Sequence, residues 1–182
     1  MPEDRLVGAA EQIIARFLPR SLEVERGAAL LYQVKVDNRL EVTVNPKAPT
    51  RGQSAFQTDL CVFEQVAVNV RIPRVVLEFK PGLSTHDILT YTTKARKHKQ
   101  VYPYLRYGLV ASKELRVTGK FFTHNEALDF YLASGALSRG LFKTLLRALL
   151  KKEIAASRRL EAMAFGLSSA IQFRSDVSIL ER

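Results

Sequence analysis

Apolar residues recur every three or four positions in two stretches of the chain, which is the spacing of amphipathic helices. The first stretch predicts a helix over 3–18 that Pro19 ends. Its apolar stripe consists of Leu6, Ala10, Ile13, Ile14 and Phe17. The second stretch predicts one long amphipathic helix, or two shorter ones, over 138–165. Both helices therefore need an apolar surface to pack against.

Between these stretches, short segments rich in β-branched and aromatic residues predict strands. They cover 32–36, 40–44, 59–64, 74–80 and 104–110, and a less regular strand pair is expected around 115–122. A turn at Asp37 and Asn38 separates the first two segments, and Pro81–Gly82 ends the fourth. Residues 45–54 contain two prolines and a glycine and predict a loop.

Two more helices are indicated by capping residues. Ser84, three positions before an aspartate, resembles the first residue of a capping box and predicts a helix to about His98. Thr123, three positions before a glutamate, predicts a short helix to Leu132 in the same way. The order of elements predicts an α/β fold with a mixed central β-sheet flanked by helices. We expect one domain over 1–182, with a C-terminal helical part over about 123–165.

The charge of the chain narrows the classes of partner. Its 28 lysines and arginines against 18 acids give a formal net charge of +10, which favours a polyanionic partner, most commonly nucleic acid. Anionic lipid and simple solubility remain alternatives. No apolar run is long enough to span a bilayer, and the N-terminus lacks a signal-peptide pattern. We therefore expect an intracellular (cytoplasmic) protein without a membrane partner.

Cysteine and histidine are too few for common structural sites. Cys61 is the only cysteine, so an intrachain disulfide is excluded, and a core position in a strand is expected for it. The three histidines are scattered and give no familiar zinc-ligand spacing. Arg51 and His98 are interpreted as surface or capping residues rather than catalysts.

The residues with the most chemical content are Asp59, Glu78 and Lys80. Side chains alternate along a strand, so Glu78 and Lys80 share one face while Leu77 and Phe79 pack on the other. An antiparallel neighbouring strand brings Asp59 near Glu78 if the register allows it. Two carboxylates suit Mg²⁺, with Mn²⁺ as the alternative ion. Lys80 is then placed to orient or deprotonate an attacking water, or to offset charge in the transition state.

Thr58–Asp59 followed by Glu78-Phe79-Lys80 and a helix resembles the PD-(D/E)XK nuclease superfamily over about 56–110. The resemblance implies a restriction-endonuclease-like core and a Mg²⁺-dependent endonuclease, with DNA favoured over RNA as substrate. It implies that Asp59 and Glu78 are metal ligands and that Lys80 is the catalytic lysine. Thr58 departs from the proline that the family often has there. A third acid from the N-terminal helix would be Glu11.

Basic residues surround the motif in the sequence. Candidate nucleic-acid contacts are Lys94, Arg96, Lys97, Lys99 and Arg106. The resemblance also implies that the helix after the motif contributes a polar residue to the site, and Tyr91 or Lys94 is expected to face it. Arg139, Lys143, Arg147 and Lys151 form a basic ridge on the last long helix. For the helix after the motif, the alternative interpretation is a solvated face. For the ridge, the alternatives are contact with a nucleic-acid backbone, contact with an acidic partner and a solvated face.

Two other functions are compatible with the sequence. The first is a nucleic-acid-binding module or subunit that has this fold without activity. The second is an unrelated basic adaptor in which Glu78 and Lys80 form only a surface salt pair. Cutting both strands of a duplex requires a homodimer or two sequential events, and a homodimer is the arrangement we expect. Base readout is beyond the sequence, although residues 46–54 are a candidate loop for it.

Overall fold

The computed structural model describes residues 3–175 and 177–180, and its centre is a five-stranded sheet. The elements in chain order are α1 (Glu3–Ala15), β1 (Leu22–Arg26), β2 (Ala29–Leu31), β3 (Ala55–Gln57), β4 (Leu60–Ala67), β5 (Val70–Lys80), α2 (Thr85–Val101), β6 (Arg106–Ala111), α3 (Gly119–His124), β7 (Phe130–Ala133) and α4 (Arg139–Ala164). The expected α/β fold with a mixed central sheet flanked by helices is confirmed.

The strand order in the sheet is β1-β4-β5-β6-β7. Strands β1, β4 and β5 are antiparallel neighbours, whereas β5, β6 and β7 run parallel to one another. The helix α2 connects β5 to β6, as a crossover between parallel strands requires. Strands β2 and β3 form a separate antiparallel pair that leads directly into β4. The middle strand β5 therefore has partners on both sides, and its last residue is Lys80.

The two faces of the sheet are covered by different helices. Helices α1 and α4 pack on the face that carries Leu60, Leu77 and Phe79. Helix α2 packs with α3 on the opposite face, which carries Cys61 and Tyr107. This arrangement buries alternate residues of β5 in two separate cores, and it confirms that Leu77 and Phe79 point away from the side of Glu78. Cys61 is buried in a strand, as expected.

Local capping explains where α2 and α4 begin. The Ser84 hydroxyl accepts a hydrogen bond from the Asp87 N–H, and the Asp87 carboxylate accepts one from the Ser84 N–H. The predicted capping box at the start of α2 is therefore confirmed. Ser138 caps α4 through the Leu141 N–H, and α4 continues unbroken to Ala164. Among the described helices, none is long and apolar enough to cross a membrane.

The two strands expected over 32–36 and 40–44 are wrong. The predicted turn forms, with the Leu40 N–H bonded to the Asp37 carbonyl, but only an isolated bridge joins Val36 to Val42. Both valines are more than half exposed, so a longer strand pair here would bury little apolar surface against a neighbouring layer. The strands on either side of this segment are β1, β2 and β3, which the sequence patterns did not predict.

The expectations for 115–132 are also wrong. Where strands were expected over 115–122, the chain forms turns and the short helix α3, and where a helix to Leu132 was expected, the strand β7 forms. Tertiary pairing decides the outcome, because β7 adds to the parallel edge of β6. Gly108 on β6 permits this packing, since a Cβ there would lie 2.3 Å from the Phe130 ring.

Candidate active site

Asp59 and Glu78 are brought together by the register of β4 and β5. Leu60 pairs with Leu77, which places Asp59, just before β4, beside Glu78 near the end of β5. The Asp59 carboxylate accepts a hydrogen bond from the Phe79 N–H at 2.7 Å. The Asp59 N–H in turn donates to Glu78 Oε2 at 3.3 Å. Backbone hydrogen bonds thus hold the two carboxylates at the same end of adjacent strands.

Glu78 is a buried acid, with only 2% of its surface exposed. Burial raises the pKa of its carboxyl to about 7; the Lys94 ammonium acts against this rise, and the Asp59 carboxylate adds to it. The Lys94 Nζ lies 3.8 Å from Glu78 Oε1. The pair of acids is therefore costly to ionise together without a cation nearby.

The Tyr107 hydroxyl on β6 donates a hydrogen bond to Glu78 Oε1, with the two oxygens 2.5 Å apart. Burial, followed by the charge of Glu78, raises the pKa of Tyr107 well above its ordinary value, so the hydroxyl stays protonated and acts as a donor. The sequence did not assign this role to Tyr107. The alternation of side chains along β6 was the available signal. It places Tyr107 on the side of the sheet that α2 covers, and Glu78 on the neighbouring strand β5 faces the same side.

Two lysines converge on the Tyr91 ring of α2. The Lys94 Nζ lies 5.1 Å from the ring centroid, and the Lys80 Nζ lies 6.0 Å from it. Of the two expected candidates on α2, Lys94 therefore contacts the acid pair, and the Tyr91 ring lies beside the Lys94 ammonium. Lys80 is half-buried at the end of β5. The structure thus places Asp59, Glu78 and Lys80 at one end of the sheet, with Lys94 as an additional cation.

Thr58 occupies the position before Asp59 and fixes the approach to it. Both its N–H and its hydroxyl donate to the Ala28 carbonyl, at 2.9 and 3.1 Å. The Gly27 N–H donates to the Asp59 carbonyl at 3.1 Å. Threonine therefore supplies two donors where proline would supply none, and the segment beside β2 is tied to the site.

The five expected nucleic-acid contacts have different surroundings. Lys94 is at the acid pair, and Lys97 is exposed on α2 with its Nζ 5.7 Å from the Tyr32 ring centroid. Arg96 is 3.5 Å from the Glu126 carboxylate on the surface. The charges of Lys99 and Arg106 are balanced by Asp129 at 2.7 and 2.8 Å, and Arg106 also pairs with Glu153.

Other residues considered in the sequence lie apart from the acid pair. Glu11 is on α1, which packs on the opposite face of the sheet. The ridge of Arg139, Lys143, Arg147 and Lys151 is exposed on α4, which packs on that face too. Arg51 is exposed, as expected. His98 was interpreted as a surface or capping residue and is instead fully buried, because its ring packs between Phe56 and Tyr107.

No protein-family model matches the chain, and a search among curated proteins also finds no match. The fold and the geometry around Glu78 are therefore the observations from which a function can be inferred. Glu78 is the central residue, because the other groups of the site are positioned around its carboxylate.

Proposed function

We propose that this protein is a Mg²⁺-dependent nuclease of the PD-(D/E)XK type that hydrolyses phosphodiester bonds, with DNA as the favoured substrate. The observation that carries the proposal is the juxtaposition of two carboxylates on adjacent strands, Asp59 and the buried Glu78. A buried acid with a second acid beside it is costly for stability, which favours a functional role for the pair.

The order of elements around the motif supports the same proposal. An antiparallel strand pair ends in Glu78-Phe79-Lys80, and a helix then leads to a parallel strand. This resembles the strand-strand-helix-strand order of the restriction-endonuclease-like core. Lys80 lies at the end of the middle strand, where side chains from several elements can reach one substrate.

The donor set fits Mg²⁺ or Mn²⁺. Among the described residues, no three His, Cys, Asp or Glu side chains form a cluster that could enclose a metal ion. Two carboxylates are nevertheless sufficient for Mg²⁺, which usually keeps several waters and binds substrate phosphate as well. Each carboxylate is oriented by one short hydrogen bond, from the Phe79 N–H to Asp59 and from the Tyr107 hydroxyl to Glu78.

The residues then have separable roles. Asp59 and Glu78 hold the ion, which, when bound, lowers the pKa of a water molecule and polarises a phosphate oxygen. Lys80 orients the attacking water and offsets negative charge that grows on the phosphate. Tyr107 fixes the Glu78 carboxylate, and Lys94 offsets the combined negative charge of the acids. A homodimer is the arrangement that would cut both strands of a duplex in one event.

The burial of Glu78 argues against the basic adaptor, in which Glu78 and Lys80 would form only a surface salt pair. A surface salt pair on a strand edge does not describe Glu78, which is buried on the middle strand of the sheet. A binding module that has this fold without activity is the remaining alternative. It differs from the nuclease in its response to loss of Lys80, since binding of the phosphate backbone is shared among many cations.

Cleavage of supercoiled plasmid tests the proposal directly. The purified protein is incubated with plasmid in Mg²⁺, in Mn²⁺ and in chelator, and nicked and linear products are quantified. We expect metal-dependent nicking or linearisation that Lys80→Ala slows by roughly 10²- to 10³-fold, the usual cost of removing one group that stabilises transition-state charge.

The matched control is Lys152→Ala. Lys152 is exposed on α4, which packs on the other face of the sheet from Glu78, so its loss removes one positive charge without touching the site. This variant should cleave at the wild-type rate. Binding of plasmid and of single-stranded DNA without cleavage of either in Mg²⁺ or Mn²⁺ would contradict the nuclease and favour the inactive binding module.

A further inference from the structure

A cleft of about 280 Å³ is lined in part by Lys94, the cation that contacts the acid pair. Its walls include Tyr32, Phe56 and Arg51 from the β2–β3 region and Lys94 from α2. Lys94 belongs to both places, because its Nζ is 3.8 Å from Glu78 Oε1 and 5.9 Å from the centroid of the Phe56 ring. A ligand in this cleft would therefore be a neighbour of any group bound at the acids.

The aromatic wall of the cleft is a stacked pair of rings held by a buried neighbour. The rings of Tyr32 and Phe56 are stacked, with centroids 4.1 Å apart and an interplanar angle of 19°. The edge of Phe56 contacts the buried ring of His98, which accounts for the fixed orientation of the pair. Both rings are only partly buried, so the stack presents aromatic surface to the cleft.

Positive charges surround the aromatic stack. The Lys97 Nζ lies 5.7 Å from the Tyr32 ring centroid, and Arg51 lines the cleft beside Gly52. The Arg51 guanidinium is exposed and donates to the Gln57 side chain at 2.8 Å. Aromatic rings flanked by several cations form the arrangement that binds a base by stacking and its phosphates by charge.

We propose that this cleft binds one unpaired nucleotide next to the phosphate that is cleaved, so that the substrate is single-stranded nucleic acid or the single-stranded part of a branched duplex. The proposal rests on the proposed nuclease function for the position of the cleaved phosphate. The volume is near the lower end of the roughly 300–1,000 Å³ of small-molecule sites, which suits one nucleotide. Stacking on an aromatic ring requires an unpaired base, since bases within a duplex are already stacked on both sides.

The test is binding of fluorescein-labelled (dT)12 and of a 12-base-pair duplex, measured by fluorescence anisotropy in chelator, where metal-dependent cleavage is prevented. The test variants are Tyr32→Leu and Arg51→Gln. Loss of one base-stacking ring should weaken binding of (dT)12 by roughly 5- to 150-fold. Arg51→Gln should also weaken it, whereas duplex affinity should stay within about twofold for both variants.

The matched control is Phe17→Leu. Phe17 is an equally half-buried aromatic residue with a cation nearby, because the Arg147 guanidinium lies 5.7 Å from its ring centroid, but it belongs to the α1–α4 side of the sheet. This variant should leave both affinities unchanged. Thermal unfolding of each variant confirms that the fold is retained, and Arg51→Gln, being exposed, tests the cleft even if Tyr32→Leu unfolds.

The outcomes separate this proposal from the nuclease itself. Equal losses for (dT)12 and duplex, or no loss for (dT)12, would overturn the cleft as a site for an unpaired nucleotide, even if plasmid is cleaved. Selective loss for (dT)12 supports the cleft. If the protein then cleaves neither plasmid nor (dT)12 in Mg²⁺ or Mn²⁺, the nuclease fails while the nucleotide site stands.

Discussion

At the scale of single residues, Glu78 is subject to opposing effects on one carboxyl group. Burial raises its pKa to about 7, while the Lys94 ammonium and the Tyr107 hydroxyl favour its ionised form. The hydrogen bond from Tyr107 and the ammonium of Lys94 both reach Oε1. The carboxylate therefore has a fixed orientation, and a divalent cation would complete the compensation of its charge.

Position 108 on β6 requires glycine because of one contact with β7. A Cβ there would meet the Phe130 ring at 2.3 Å, so Gly108→Ala forces β7 away from β6. We expect a loss of about 2 kcal/mol or more in the free energy of unfolding, measured by urea denaturation followed by circular dichroism.

The control for Gly108→Ala is Gly8→Ala in α1. A Cβ at Gly8 meets nothing within 4 Å, and glycine is unfavourable inside a helix. This change should raise the free energy of unfolding by about 0.5–1 kcal/mol. Equal stability of the two variants would refute the steric role of Gly108.

At the scale of elements, local signals predicted α2, α4, β4 and β5 well. The capping serine and the β-branched runs act within a few residues, so the sequence carries them directly. Strand β7 was missed because its partner is β6, and its polar neighbours mimicked a capping box. The segment over 32–44 has strand-like alternation; Tyr32 at its start stacks on Phe56, but Val34, Val36 and Val42 are more than half exposed. Contacts distant in sequence decided both cases.

The same distinction applies to the candidate site. The alternation of β5 predicted that Glu78 and Lys80 share a face, and the strand pairing placed Asp59 beside Glu78. Tyr107 and the Tyr32–Phe56 stack were not predicted as parts of the site, because they reach it through strands whose order in the sheet is not local information. The salt-bridge partners of Lys99 and Arg106 were hidden for the same reason.

His98 on α2 is hydrogen-bonded to β2, and its burial predicts that the stability of the fold depends on pH. Its Nδ1 lies 2.8 Å from the Leu31 carbonyl, so the neutral ring donates a proton there. Burial lowers the pKa of His98 from 6.5 to about 4. Between these values the unfolded chain binds a proton that the folded chain does not, so this stabilisation is complete above pH 6.5 and is lost as the pH falls towards 4.

The size of the effect is measurable with His98→Gln, because the glutamine amide can donate to Leu31 without titrating. We expect wild type to lose about 2 kcal/mol more than the variant between pH 7 and pH 5, in urea unfolding at each pH. Parallel pH profiles for the two proteins would show that His98 does not titrate as its burial implies.

At the scale of the whole molecule, charge is distributed unevenly. Part of the excess of basic residues is paired internally, as with Lys99, Arg106 and Asp129. Lys94 lies at the acid pair, Arg51 lines the adjoining cleft and Lys97 lies over the Tyr32 ring, whereas the ridge on α4 is on the other face of the sheet. The net charge of +10 provides general attraction to a polyanion, and the acid pair marks where its chemistry would occur.

The proposed divalent-cation site at Asp59 and Glu78 can be tested by titration with Mn²⁺ followed by electron paramagnetic resonance. Wild type should bind one Mn²⁺, and the affinity should fall as the pH drops below about 7, because Glu78 must lose its proton. Glu78→Gln and Asp59→Asn should each weaken binding by more than about tenfold, whereas Glu25→Gln, on strand β1 of the same sheet, should not. Equal Mn²⁺ binding by wild type and Glu78→Gln would show that Glu78 is not a metal ligand.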